Sequence, residues 1–292
     1  WKEKYSRKKN PMKPIQKHHK AKMGSHRGPK RTPSLRQNQQ KMPKNKTQTM
    51  SILNQKMRLQ KLLAQTTELS RRTSEKAIVD GMVFVNGVQV TELGTKVNPN
   101  TDKIFYQGKR LELSSNLTYI AYSKPRGELV TKKDPQQRKT IWDRLTEWKN
   151  SLNSAGRLDY NSEGLIILTN DGQLINKLTH PSHPIPKTYE VKTQGRPSEK
   201  AIKNLAQGVL LDDGLTMPAD VSLFKTGEHT SWLSITIYEG RNRQIRRMCE
   251  KVGILILRLR RVCIGPVQIG AMRAGEWRHL TKSELKNLQN VN

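Results

Sequence analysis

Residues 57–66, Met-Arg-Leu-Gln-Lys-Leu-Leu-Ala-Gln-Thr, place apolar side chains at Leu59, Leu62 and Leu63, the spacing of one helix face. Ser70 then precedes Arg71-Arg72-Thr73-Ser74-Glu75-Lys76-Ala77-Ile78, which reads as a cap followed by a second short helix. The pattern changes at Met82-Val83-Phe84-Val85, a strand that ends on Asn86-Gly87 and returns through Val88-Gln89-Val90 as a hairpin. Two helices and a small β-unit are therefore expected over 57–114. Further on, strands are expected at 117–122, 165–168, 187–191, 232–238 and 262–269, and helices at 173–178, 199–205, 243–252 and 282–288. Strands and helices in that irregular order predict an α+β class: a mostly antiparallel sheet flanked by helices over 117–292.

Residues 1–56 lack any such period. The first fifty carry sixteen Lys or Arg against one acid, Glu3, and prolines at 11, 14, 29, 33 and 43 interrupt any helix. Such a composition predicts a disordered basic tail, with an organellar transit peptide as the minor alternative. The whole chain of 292 residues has a formal net charge of +30. An excess that large points to a polyanionic partner, nucleic acid above all, because each neutralised phosphate releases counterions. The apolar runs are too short to span a membrane, no basic amphipathic helix stands out to bind its surface, and no apolar secretory leader is expected. The two cysteines, Cys249 and Cys263, form no CxxC pair and have no histidine cluster at metal spacing. A reducing, cytoplasmic setting without a zinc site is the expectation. No GxGxxG or GxxxxGK[ST] sequence supports nucleotide-cofactor or ATP use.

The most informative stretch is Gly156-Arg157-Leu158-Asp159-Tyr160-Asn161-Ser162-Glu163-Gly164, which sets one carboxylate in a turn just before the apolar run 165–168. Spacing alone makes Asp159 an ordinary turn or capping residue. Its companions change that reading: 119–127 (Tyr-Ile-Ala-Tyr-Ser-Lys-Pro-Arg-Gly), 187–191 (Lys-Thr-Tyr-Glu-Val) and 239–248 (Glu-Gly-Arg-Asn-Arg-Gln-Ile-Arg-Arg-Met). In this order the blocks resemble the entry motif, catalytic loop, tyrosine strand and closing basic motif of the ribosomal RNA pseudouridine synthases, in the branch typified by the small-subunit enzyme. The upstream SRR helix and VFVNG strand are similar to the S4 RNA-binding domain. Ser123 departs from the pattern, standing where relatives commonly have Asn before Lys-Pro.

The resemblance implies an S4-like domain over 57–114 and a synthase domain over 117–292, converting a uridine of ribosomal RNA to pseudouridine without cofactor or metal. It implies Asp159 as nucleophile or general base, Tyr189 as the platform for the target base and Arg246 as the cation paired with Asp159. A lone buried carboxylate would lose its charge, so such a partner is physically required. In a helix starting near Arg243, positions 243, 246 and 247 share a face, so three guanidiniums could serve the cleft, a solvated basic face being the competing role. RNA contacts are expected from Arg71, Arg72, Lys76, Lys124, Arg126, Arg157, Arg241, Arg243 and Arg247, with Lys124, Arg126 and Arg157 gripping either the RNA backbone or the loop around Asp159. For Tyr189, alternation with Val191 leaves a core role open. His180 and His183 are expected to cap a helix end, and Trp142, Trp148, Trp232 and Trp277 to lie in the core or between domains. A monomer acting on large-subunit RNA, or on a pre-ribosomal particle, is the favoured partner assignment. A non-catalytic RNA-binding or ribosome-assembly factor is the alternative.

Removal of residues 1–50 is expected to weaken RNA binding mainly at low salt, since the tail acts through charge. Binding titrations over a salt series check this; an unchanged salt slope after truncation contradicts it.

Overall fold

The computed structural model describes residues 56–113 and 116–291. Apart from Lys56, the basic tail lies outside these residues. In the smaller unit, helices α1 (Leu59–Thr66) and α2 (Arg71–Val79) pack on short strands. Leu59, Leu62 and Leu63 are fully buried against Ile78, Val83, Val97 and Ile104. Ser70 caps α2 by accepting the Thr73 amide at 3.1 Å, which satisfies one of the donors every helix start leaves free. Asn86 and Gly87 both take positive φ, +52° and +85°, the geometry a two-residue hairpin turn requires. Four strands result, in the order 88–89, 83–85, 104–106, 109–110.

The larger unit is built on a nine-stranded sheet. Its main strands are β1 (Tyr119–Lys124), β2 (Glu163–Thr169), β3 (Lys187–Gln194), β4 (Asp220–Thr226), β5 (Thr230–Ile237), β6 (Ile256–Ile264) and β7 (Trp277–His279), in the order β4-β5-β3-β6-β2-β1-β7. Residues 153–154 and 267–268 extend β2 and β6. Helices α3 (Gly172–Thr179), α4 (Glu199–Gln207), α5 (Gln244–Lys251) and α6 (Lys282–Asn290) cover the sheet. Alternation sorts side chains between two cores. Ile120, Tyr122, Ile166 and Leu168 face the side holding Leu205 of α4 and Met248 of α5, while Ala121, Leu165 and Ile167 face Leu174 and Leu178 of α3 and Leu288 of α6. Strand β2 is buried along its whole length, which explains its continuous apolar run in place of polar–apolar alternation.

Most pairings are antiparallel; β2 and β6 run parallel, with Arg260 opposite Glu163 and Arg261 opposite Gly164. This pairing depends on glycine. Gly164 sits at φ +106°, and a Cβ there would fall on the Arg261 backbone. The expected strand at 262–269 is displaced: β6 spans Ile256–Ile264 and turns at Gly265 into 267–268. Its basic first half obscured it, since Arg258 and Arg260 find carboxylates on the neighbouring strands, Glu163 and Glu190. Strand β4, an edge strand with mostly exposed side chains, carried no expectation either.

The 156–162 loop leads into β2 and is tied down by a buried lysine. Lys124, fully buried at the end of β1, donates from Nζ to the carbonyls of Ser162 (2.8 Å) and Pro125 (2.9 Å) and lies 3.5 Å from that of Tyr160. It therefore cannot contact RNA phosphate; of the two expected roles it fills the second, gripping the loop. Burial pulls its ammonium down to about 8, against opposing attraction from Glu128, Asp159 and Glu163.

Gly164→Ala is expected to cost about 2–4 kcal/mol, combining overpacking with backbone strain; chemical denaturation measures it, and a loss under 1 kcal/mol contradicts the close β2–β6 approach. Lys124 loses its proton near 8 when folded but keeps it to its ordinary 10.5 when unfolded. The unfolded chain thus binds more protons between those values, and stability contributed by Lys124 rises with pH there. The stability of wild type relative to Lys124→Met is expected to increase from pH 8 to 10.5, as read by denaturant unfolding at each pH; a flat difference contradicts it.

Candidate active site

Strands β3, β6 and β2 lie side by side, and their ends meet the 156–162 loop and the start of α5. A cleft of about 590 Å³ opens where they converge, lined among others by Asp159, Ser162, Lys187, Tyr189, Arg243 and Arg261. Asp159 combines both readings made from sequence. Its carbonyl accepts the Ser162 amide at 3.0 Å, the turn chemistry its setting implied, while its half-buried carboxylate faces the cleft. Arg246 Nε stands 4.0 Å from Asp159 Oδ2. The Arg246 guanidinium also donates through Nη2 to the Asn161 carbonyl at 2.9 Å and the Ser162 hydroxyl at 3.2 Å. Arg246 thus grips the loop by its backbone and holds positive charge beside the acid. Burial, reinforced by Arg243 and Arg126, lowers its pKa from the usual arginine value, and Asp159 offsets part of this.

Tyr189 is 8% exposed and packs with Val191 in the core cluster beneath the cleft, yet its ring also lines the cleft. The core and site roles are not exclusive here. Its neighbour across the ladder is Arg261, which is 3% exposed. Arg261 Nε donates to the Leu165 carbonyl at 2.7 Å, and Nη1 lies 3.5 Å from the Tyr189 hydroxyl. Arg261 Nη2 is buried without a hydrogen-bond partner among the described residues. Leaving a buried donor unmet costs about 1–3 kcal/mol, more when it is charged. Lys187 shares this wall, donating to the Ile185 carbonyl at 3.0 Å; burial and the nearby Arg261 charge pull its ammonium down to about 8.

The basic motif divides in two. Arg243 takes a left-handed φ of +47° at the cap of α5 and is exposed at the cleft. Arg241 and Arg247, expected to contact RNA, are bound internally. Arg247 makes a two-point pair with Asp213 at 3.0 and 2.9 Å. Arg241 pairs with Glu239 at 3.0 Å and donates to the Gly214 carbonyl at 2.8 Å. Arg247 therefore pins the 210–215 hairpin to α5, and Arg241 pins it to the segment just before that helix. The shared helix face does not decide where a guanidinium goes when a carboxylate on another element can capture it.

Arg157 lines the cleft mouth and, like Arg126, is exposed. Arg71, Arg72 and Lys76 are all exposed on α2, whose buried residues are Ser74, Ala77 and Ile78. His180 ends α3, and its Nδ1 lies 2.7 Å from the Ser182 hydroxyl; among the described residues no group of three or more His, Cys, Asp or Glu could hold a metal. Of the tryptophans, Trp142 is buried, while Trp277, 36% exposed, meets Trp148 edge-on with ring centres 5.6 Å apart. Sequence reasoning missed Ser162, Lys187 and Arg261 as site residues. Arg261 had a usable signal: it falls two residues after Leu259, on the inward parity of a strand.

What this arrangement can do is hold one carboxylate beside a cation in a cleft with a flat aromatic ring on its wall. The comparisons with known proteins agree. The RNA pseudouridylate synthase family matches residues 118–251 and the S4 domain matches residues 57–102. The ribosomal large subunit pseudouridine synthase B of Bacillus subtilis (strain 168) is 39% identical over 234 residues, spanning 80% of this chain and 95% of that protein. An RNA pseudouridine synthase of Aquifex aeolicus (strain VF5) is 37% identical, spanning 80% and 93%. A crystal structure of a pseudouridylate synthase, 31% identical, superposes with a TM-score of 0.58 over 80% of this chain and 99% of that one. With relatives this similar over nearly their full lengths, the chain belongs to the RNA pseudouridine synthase family and is an S4-domain enzyme of that family.

Proposed function

We propose that this enzyme isomerises a uridine of large-subunit ribosomal RNA to pseudouridine in the cytoplasm, with Asp159 as nucleophile or general base. The reaction breaks the C1′–N1 bond, turns the base and joins C1′ to C5, with the C5 proton released. Its atoms balance without redox change or added group, so one carboxylate can serve throughout. Asp159 either traps C1′ or removes a sugar proton. Arg246 holds a positive charge 4.0 Å from the acid. Extruding the base from folded RNA costs roughly a few kcal/mol, and stacking on Tyr189 returns about 1–3 kcal/mol. Arg126, Arg157 and Arg243, exposed around the cleft, contact the RNA backbone next to the target, and Arg71, Arg72 and Lys76 dock structured RNA on α2.

The observation that carries this reading is that Asp159 and Tyr189, from separate sequence blocks, line one cleft, with Arg246, from a third, 4.0 Å from the Asp159 carboxylate. The large-subunit assignment draws on relatives such as the Bacillus subtilis ribosomal large subunit pseudouridine synthase B.

Asp159→Asn is expected to leave RNA affinity nearly unchanged and to lower isomerisation at least about 10²–10⁴-fold, the usual worth of such a group. Tritium release from C5-labelled uridine in large-subunit transcripts measures it. Substantial turnover by the variant overturns the role of Asp159, and release from small-subunit transcripts alone overturns the choice of substrate.

A further inference from the structure

Three arginines follow one another closely on β6, and their surroundings differ. Arg258 pairs with Glu163, and Arg260 lies 3.7 Å from Glu190. Arg261, the most buried of them, has no carboxylate within ion-pair distance among the described residues and keeps Nη2 unpartnered. Lys187, on the adjacent strand, lines the same cleft and among the described residues has only a backbone carbonyl as partner. A purely structural role at this place is better filled by an apolar side chain, since an unpaired buried charge is costly and a packed hydrophobe is not. The Asp159 carboxylate already stands beside Arg246. The cleft therefore has cationic hydrogen-bond donors on its inner wall and no resident anion for them.

We propose that Arg261, seconded by Lys187, is a further catalytic residue: it binds the carbonyl oxygens of the target uracil and stabilises the negative charge on the base once its glycosidic bond has broken. The inference rests on the pseudouridine synthase reading of Asp159 given above. When the C1′–N1 bond breaks, its electron pair stays on the base and spreads over N1, O2 and O4. When C5 attacks C1′, the pair returns to form the new bond, and the C5 proton leaves. Both routes open to Asp159 expel the base as the same anion, so the wall serves either. Donors fixed in a water-poor site favour this charge more than the neutral ground state, and that difference is what accelerates a reaction. The position also suits the task. Arg261 lies opposite Tyr189 in the ladder, with the guanidinium carbon 6.0 Å from the ring centre, so a base stacked on that ring comes within reach of the guanidinium edge. An RNA phosphate is the other anion that could use these donors.

The test uses the full chain carrying Arg261→Gln and single-turnover reaction on large-subunit transcripts made with uridine or with 5-fluorouridine, whose fluorine helps the ring carry charge. Loss of the parent nucleoside is followed by chromatography after digestion. The variant is expected to react about 100-fold or more slowly on uridine RNA, to lose much less on 5-fluorouridine RNA, and to keep the wild-type RNA affinity and salt slope. Equal loss on both RNAs means a structural role and overturns the proposal. A weaker affinity with a shallower salt slope assigns the donors to phosphate and overturns it too. Should Arg261→Gln fail to fold, Lys187→Met carries the same comparison, with the same substrate dependence expected in smaller degree and its absence overturning the proposal. Wild-type enzyme inactive on every uridine transcript rejects the underlying reading and this inference with it, an outcome separate from any behaviour of the variants.

Discussion

The parallel contact between β2 and β6 at Gly164 and Arg261 is the constraint on which the site depends. It brings two strands together so closely that one partner must lack a side chain. On one side of the contact the chain runs back into the loop bearing Asp159. On the other it carries Arg261, which reaches the Leu165 carbonyl on β2 and lies beside Tyr189 on β3. The aromatic ring and the buried guanidinium are thus set by backbone pairing in the middle of a sheet, and the acid sits on a loop that runs directly into it. Catalytic geometry requires that stiffness, because small displacements of reacting groups forfeit much of their effect.

The charges of the larger unit fall into two populations. One is internally neutralised: Arg247 with Asp213, Arg241 with Glu239, Arg258 with Glu163, and Arg144 with Glu128. These pairs fasten hairpins and strands around the cleft. The other is left facing the cleft or solvent, including Arg126, Arg157 and Arg243. The net charge of +30 belongs to the whole chain and does not distinguish the two populations. Lys124 belongs to neither, since it acts by hydrogen-bonding backbone carbonyls from a fully buried position.

Local pattern was a good guide wherever a single element answered to its own residues. Helix α1 followed from Leu59, Leu62 and Leu63, the hairpin at Asn86-Gly87 from its turn chemistry, and the α+β class from the order of strands and helices. It failed at β6, where arginines alternate with leucines and only their carboxylate partners on other strands make the strand stable. It was misleading again at Arg241 and Arg247, whose basic character suggested RNA, and for Lys124 it left the loop and the RNA both open. A side chain's charge does not say whether the nearest opposite charge, or the nearest free carbonyl, belongs to the protein or to its ligand.

The chain order of its motifs alone determined the family and the presence of an S4 domain, and singled out the acid, tyrosine and arginine proposed for the site, because these depend on residue types at fixed local spacing. Which of the many cations remain free, that Tyr189 is both core and cleft wall, and that Arg261 stands unpaired behind it were decided by the tertiary structure. These properties arise from contacts between elements, at separations from 34 positions for Arg247 with Asp213 to 72 for Tyr189 with Arg261 and 96 for Leu165 with Arg261. No local period encodes such contacts; they exist only once the sheet has brought its strands into register.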